Sequence, residues 1–246
     1  MGEWLTPDWP AFESIRAVCT TRAGGISVPP FDEFNLATHV DDQPGVVIAN
    51  RLKLAEDLAL PSSPLWLDQV HSQVVVELDS AHVVSDSIDG PLVADGGFTR
   101  DEGVVLAILV ADCLPILLAS PKTREIAALH AGWKGLSGKL IENGVELFTG
   151  QDLVAWIGPG IGQCHYEVDV ALKDLFPGDC LREGRDKDHW MLDLQGIASQ
   201  QLKDLGVEHI YQANACTYCQ SDKFYSFRRD GVTGRFAVLI WMDELT

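Results

Sequence analysis

The stretch VVLAILVADCLPILLASPKTREIAALH, residues 104–130, decides the fold class. It holds three apolar runs, at 104–110, 114–119 and 125–129, separated by Ala111-Asp112-Cys113 and by Ser120-Pro121-Lys122-Thr123. Short apolar runs bounded by turn residues read as buried strands. Its longest apolar part, Val104 to Leu118, is broken by Asp112 and Pro115 and is too short to cross a bilayer as a helix. Laid down as a meander within one sheet, the three runs go up, down and up again. Cys113 and His130 then stand at the same end of neighbouring strands.

Outward from this centre, further strand-like runs occupy residues 74–78, 153–157 and 236–241. Helical spacing marks Ile48, Leu52, Ala55 and Ala59, with Pro44 suited to the first turn. A second helix uses Leu140, Gly144, Leu147 and Phe148, just after Gly132-Trp133-Lys134-Gly135. A third uses Leu194, Ala198, Leu202 and Leu205, with Asp193 as N-cap. Strands and helices mix without a strict βαβ rhythm, which favours an α/β fold of mixed α+β type over a doubly wound nucleotide fold. No repeat or linker divides the chain, so residues 1–246 read as a single domain.

The 246 residues carry 36 acidic and 18 basic side chains, a formal net charge of -18. Such a charge repels nucleic acid and anionic lipid, so neither nucleic acid nor membrane is expected as a partner. A hydrophobic share of 46% is that of a chain with a packed core rather than a disordered one. Six cysteines are too few for a disulfide framework at this length. The start, Met1-Gly2-Glu3-Trp4, lacks a signal peptide's basic and apolar regions. Both point to the cytoplasm, with no obligate protein partner evident.

Cys113 and His130 at one sheet end, with His71 in Asp68-Gln69-Val70-His71-Ser72 as a third arm, make a candidate metal site. Taken singly, a strand-end cysteine is usually a small buried hydrophobe and a histidine a satisfied hydrogen-bonder. Together they suit tetrahedral Zn²⁺ with one open position, and equally a copper ion. The pair Cys216-Thr217-Tyr218-Cys219 lacks a partner pair and a thioredoxin-like context, so it does not read as a second site. Cys164 beside His165 reads as strand or loop packing, and His39, His82, His189 and His209 as ordinary surface or core histidines.

Several motifs in order carry a family resemblance: Thr20-Thr21-Arg22-Ala23-Gly24-Gly25, Phe34-Asn35-Leu36, Gln69-Val70-His71, Ala111-Asp112-Cys113, His130-Ala131-Gly132-Trp133-Lys134-Gly135, Gly158-Pro159-Gly160-Ile161 and Phe227-Arg228-Arg229-Asp230-Gly231. The chain resembles the laccase-domain family, once named polyphenol oxidoreductase and later described as purine nucleoside phosphorylase. The resemblance implies a single-domain layered α/β sandwich like that of cysteine-hydrolase-like toxins. It implies a metal, usually zinc, on His71, Cys113 and His130. It also implies phosphorolysis of purine nucleosides, including methylthioadenosine, and adenosine deamination. Bacterial members are further connected with peptidoglycan precursor editing.

Residue chemistry weighs these names. A multicopper laccase needs paired His-x-His motifs, and none of the seven histidines here forms one. The zinc-deaminase signature is also missing, because His165-Tyr166-Glu167 has no Pro-Cys-x-x-Cys partner. Phosphorolysis needs cations for phosphate, and Arg22 and Arg229 are the expected anion contacts, with Asn35 on ribose or base. Asp112 is expected to orient a ligand or to act as an acid or base. The expected function is thus a zinc-dependent phosphorylase taking a purine nucleoside and phosphate. The rivals are a copper polyphenol oxidase, a cysteine hydrolase with Cys113 as nucleophile and a zinc-stabilised binding module.

Overall fold

A computed structural model describes residues 3–10, 12, 14–83, 90–150 and 152–244. Met1 and Gly2 of the leader reading lie outside them. Two large sheets face one another. The first runs in the order β1 (Trp4–Leu5), β2 (Ile15–Thr20), β14 (Phe236–Met242), β6 (Leu106–Val110), β3 (Leu65–Trp66). The second runs β13 (His209–Gln212), β9 (Val154–Ile157), β7 (Leu114–Ser120), β8 (Glu125–Ala131), β5 (Gly96–Thr99), β4 (Val75–Glu77). A small third sheet orders β10 (Glu167–Asp169), β12 (His189–Leu192) and β11 (Leu181–Glu183).

The period-2 alternation of strands sorts side chains into layers. In β14, Phe236, Val238 and Ile240 face the space between the sheets, where they meet Leu117 and Ala119 of β7 and Ile126 and Ala128 of β8. The opposite parity, Ala237, Leu239 and Trp241, packs outward with Leu54 of α1 (Pro44–Asp57). On the other side, Leu114, Ile116 and Leu118 pack under three helices, α2 (Trp133–Ser137), α3 (Leu140–Val145) and α4 (Leu194–Asp204). The result is a four-layer α/β sandwich, helix–sheet–sheet–helix. Both faces of each central strand are covered, which is why these strands read as continuous apolar runs. Among the described residues, no helix is long and apolar enough to cross a membrane.

Three sequence readings change. The meander is not one sheet, because β6 pairs with β14 and β3 whereas β7 pairs with β8 and β9. At Ala111-Asp112-Cys113 the chain steps between sheets, through Asp112 at φ 93°. The β7–β8 hairpin survives, with Pro115 opposite His130, so Cys113 and His130 still share one end. The helix over Pro44–Asp57 forms with proline in its first turn, but its buried residues are Val47, Asn50 and Leu54, while Ile48 and Leu52 are exposed. Asn50 turns that face inward, since its side chain bonds Ser27 Oγ and the carbonyl of Asn35. Finally, the second helix forms as α3 but stops at Val145, so Leu147 and Phe148 lie beyond it. The cap on α4 is as expected: Asp193 accepts from Gly196 N at 2.9 Å.

Glu125, at the start of β8 and 1% exposed, shows how a buried charge is held. Its carboxylate accepts from Thr123 Oγ1, from the amide and hydroxyl of Thr149, from Gly150 N and from Arg100 Nε. Burial pushes its pKa up, but the hydrogen bonds from Thr123, Thr149 and Gly150 prevail and hold it down to about 2. A depressed carboxylate contributes stability above its ordinary value of 4.5, and that contribution is lost as pH falls through about 2. Glu125→Gln, whose amide nitrogen meets donors, is therefore expected to cost about 2–3 kcal/mol near neutral pH. The gap to the parent should close as pH falls from 4.5 towards 2, measured by denaturant unfolding at several pH values. A pH-independent gap would show that the charge is not what stabilises this corner.

Candidate metal centre and its cavity

The hairpin β7–β8 and the step between sheets bring Cys113 and His130 together, and a loop brings His71 to them. That loop, between β3 and β4, is spliced to β6 by Gln69. Its Nε2 donates to the Leu109 carbonyl at 2.9 Å, and Leu109 N donates to its Oε1 at 2.8 Å. His71 follows at φ 61°. The Cys113 Sγ lies 3.6 Å from His71 Nε2, and the two imidazole rings are 4.8 Å apart at 69°. One donor atom from each of the three residues lies within 4.8 Å of the others.

Asp95, which the sequence reading did not single out, controls this arrangement. It is fully buried at the entry to β5. Its carboxylate accepts backbone N–H bonds from Val70, His71 and Ser72, and it meets His130 Nδ1 at 2.8 Å. One side chain therefore sets both the His71 loop and the His130 ring, leaving His130 Nε2 to face the thiol. Burial opposes its charge, but the bonds from His130 and Ser72 hold its pKa down to about 2. Burial likewise opposes the Cys113 thiolate, yet His130 and then His71 hold the thiol below its ordinary value. His130 is the reciprocal case: burial disfavours the imidazolium, while Cys113 and Asp95 raise it.

The donor set fits a metal ion. Three donors of the softness zinc or copper accepts converge with a position left open, and one histidine is backed by a carboxylate in the manner that fixes its tautomer. Gly132 leaves room for them, because a Cβ there would lie 2.9 Å from Cys113 Sγ and 3.2 Å from His71 Cδ2. Above the donors opens a cavity of about 350 Å³. Its walls carry the aromatic rings of Trp133, Tyr166 and Phe227 and the guanidinium groups of Arg228 and Arg235. His39 stands at its rim, held below its ordinary pKa by partial burial and then by Arg235.

The expected substrate contacts lie elsewhere. Arg22 is not in the cavity wall; its donors go to the carbonyls of Asp32 and Ser221 and to the Asp32 carboxylate, over the Tyr225 ring. Arg229 spends its guanidinium on the carbonyls of Thr217, Tyr218 and Phe224 and on Asp230. Asn35 is buried, with its amide tied to Ala37, Asp42 and Arg235 N. All three organise loops. Asp112 does line the cavity, but its oxygens accept from Thr217 Oγ1 at 2.6 Å and from Arg228 N at 2.7 Å. It is thus engaged as the anchor of α5 (Phe227–Asp230), not as a free acid or base.

The protein is thus a layered α/β sandwich with a candidate two-histidine, one-cysteine metal site at a sheet-end cavity. Residues 16–243 match the family described as multi-copper polyphenol oxidoreductase laccase, and the chain belongs to it. The purine nucleoside phosphorylase PA4543 of Pseudomonas aeruginosa is 39% identical over 99% of this chain and all of that relative. The purine nucleoside phosphorylase YfiH of Escherichia coli is 36% identical over 98% of this chain and all of that one. Among solved structures, YlmD from Geobacillus stearothermophilus superposes with a TM-score of 0.92 at 33% identity, covering 99% of this chain and 97% of that one. Neisseria meningitidis protein NMB0706 gives 0.90 at 35%, covering 98% and 99%.

Because Asp95 supports two donors at once, Asp95→Asn is expected to weaken metal retention about 10–100-fold. Competition with a chelator reads this as loss of one metal equivalent at a lower chelator concentration. Unchanged retention in a folded Asp95→Asn chain would remove Asp95 from the metal's support.

Proposed function

We propose that this protein is a cytoplasmic, zinc-dependent purine nucleoside phosphorylase, its 246 residues acting as one laccase-like domain. Adenosine deamination and methylthioadenosine phosphorolysis would be further reactions of the same cavity. The observation that carries the reading is the joint wall above the donors: aromatic rings suited to a flat base, beside two guanidinium groups suited to an anion. The names of the curated relatives agree with it. All six cysteines are unpaired, as in a reducing compartment.

In this reading His71, Cys113 and His130 hold the metal, which when bound supplies Lewis-acid polarisation and a water of lowered pKa. Arg228 and Arg235 bind phosphate and aim an oxygen at the sugar's anomeric carbon. The carbon–nitrogen bond to the base breaks as the carbon–oxygen bond forms, and the base leaves with that bond's electron pair and takes up one proton from solvent on release. Trp133, Tyr166 and Phe227 hold the base and exclude water, which keeps phosphate rather than water as the acceptor. Asp112 keeps Arg228 in place through its backbone amide. His130 Nδ1 stays on Asp95, so the ring does not turn.

The test is inosine cleavage to hypoxanthine, followed with and without phosphate. Cys113→Ala should abolish it. Arg228→Ala or Arg235→Ala should raise the KM for phosphate about 10–100-fold, the loss of one charge-assisted contact. Arg22→Ala should leave that KM near the parent's. An unchanged phosphate KM in both cavity variants would sink the assignment.

One observation favours a second reading. A thiol held low by His130 beside it is also what a cysteine nucleophile needs, so a metal-free cysteine hydrolase acting on an amide, such as a cell-wall precursor, is the alternative. Activity retained after metal stripping, with a covalent adduct on Cys113, would select it. A copper-loaded phenol oxidase would instead show copper in fresh protein and oxygen uptake with phenols.

A further inference from the structure

Away from the cavity donors, the fold assembles a second cluster that the sequence separates into two unremarkable pieces. Cys164 and His165 lie in the turn after β9, and Cys216 and Cys219 in the turn after β13. Because β13 pairs with β9 in parallel register, the two turns leave the same edge of the sheet and meet. An isolated bridge between Gly160 and Cys216, with Thr217 N donating to the Gly160 carbonyl at 3.0 Å, staples them together.

We infer that Cys164, His165, Cys216 and Cys219 form a second, closed metal site that takes a zinc ion. Four donor atoms lie within 4.8 Å of one another. The Cys164 sulfur is 3.8 Å from that of Cys216 and 3.6 Å from that of Cys219. His165 Nδ1 is 3.2 Å from Cys164 Sγ and 3.3 Å from Cys219 Sγ. For zinc–sulfur bonds of about 2.3 Å and a zinc–nitrogen bond of about 2.0 Å, a tetrahedron has edges of roughly 3.5–3.8 Å. The observed contacts lie close to those edges. They are far beyond the ~2.05 Å of a disulfide.

The surroundings are shaped for sulfur. Gly162 carries no side chain where a Cβ would press on Cys164 Sγ at 3.2 Å and on Cys216 Sγ at 3.3 Å. Its N–H donates to Cys216 Sγ at 3.1 Å, the kind of backbone bond that supports a ligating thiolate. The His165 ring stacks on Tyr218, centroids 4.0 Å apart and nearly parallel, which holds Nδ1 towards the sulfurs. Cys164 and Cys219 are exposed, so an ion can reach the site from solvent. Three thiols and a neutral imidazole bind Zn²⁺ by releasing the thiol protons to solvent, with no other bond broken.

Four protein donors leave no open position, so this site is structural where the first is open. It would clamp two loops that the cavity uses. Tyr166, next to His165, lies beneath the Arg228 guanidinium in the cavity wall. Thr217, within the Cys216–Cys219 turn, bonds Asp112, and Arg229 holds the Thr217 and Tyr218 carbonyls.

The test is metal counting on the full chain, purified reduced and without a histidine tag. The parent is expected to hold about two zinc equivalents, and Cys113→Ala and Cys219→Ser about one each. With cobalt in place of zinc, the Cys113→Ala chain should show the intense near-ultraviolet thiolate-to-cobalt band of a three-sulfur tetrahedral site. Should Cys219→Ser not fold, the Cys113→Ala chain carries the test alone. One equivalent in both parent and Cys113→Ala would support this site while removing the metal from the first. No tightly bound metal and no such band in Cys113→Ala would overturn the proposal. So would a disulfide among Cys164, Cys216 and Cys219 in anaerobically purified protein.

Discussion

The geometry at the sheet end depends on one buried carboxylate. Asp95 has no exposure, and its surroundings answer it with three backbone amides and an imidazole. A carboxylate taken out of water that far costs several kcal/mol unless nearly every lone pair finds a donor. That demand has structural consequences. The loop carrying His71 must wrap so that three successive amides point inward, and His130 must present Nδ1 to it. Two donors from elements far apart in the chain are thereby registered to one another within a hydrogen bond's tolerance. Asp95 itself is fixed by the main chain, since His130 N donates to its carbonyl and its own N donates to Val74.

Part of this was legible in the residues and part was not, for definable reasons. The β7–β8 pairing was readable because a four-residue turn between two apolar runs permits little besides a hairpin, and the register, with Pro115 opposite His130, puts residues 113 and 130 at one end. Membership of β6 in a different sheet was not readable. A corner at Asp112 looks like any reversal until the partner strand β14, more than a hundred residues on, is known. The face of α1 was misphased because a buried asparagine, satisfied by Ser27 and the Asn35 carbonyl, occupies the position a hydrophobic pattern reserves for leucine. Which arginines line the cavity was not readable for a related reason. All four give guanidinium hydrogens to backbone carbonyls, which carry no sequence signal, and only the fold places Arg228 and Arg235 in the cavity wall. Asp95 could have been suspected from its place just before Gly96-Gly97-Phe98, but an aspartate at a strand entry is ordinarily a turn residue.

The two histidine–cysteine clusters differ in the number that matters for chemistry. His71, Cys113 and His130 supply three donors and face a cavity, whereas Cys164, His165, Cys216 and Cys219 supply four and face solvent. The first arrangement keeps a position for a reactant, and the second can only hold chain segments together. They are mechanically adjacent all the same. Thr217 of the second cluster's turn bonds the Asp112 that precedes Cys113, so a shift of that turn is felt one residue from a donor of the first.

This division of labour bears on the family's two names. A four-copper oxidase draws on many paired histidines, and this chain distributes its seven too widely for that. His71 and His130 are in the cavity with His39 at its rim, His82 meets Asp79, His165 sits with the other thiols, and His189 and His209 open strands β12 and β13. What remains at the cavity is a mononuclear donor set beside two guanidinium groups. In a chain of net charge -18, an anion is repelled at long range and gains only at contact. Attraction must therefore come from groups that are close, oriented and partly shielded from solvent. Arg235, half-buried in the cavity wall, meets that condition, and Arg228, itself exposed, is oriented by stacking over Tyr166, whereas the groove around Arg22 is lined by the anions Asp32, Glu33 and Asp222. The charge around the cavity is thus of the kind that holds a small anion at contact, which the proposed reading requires.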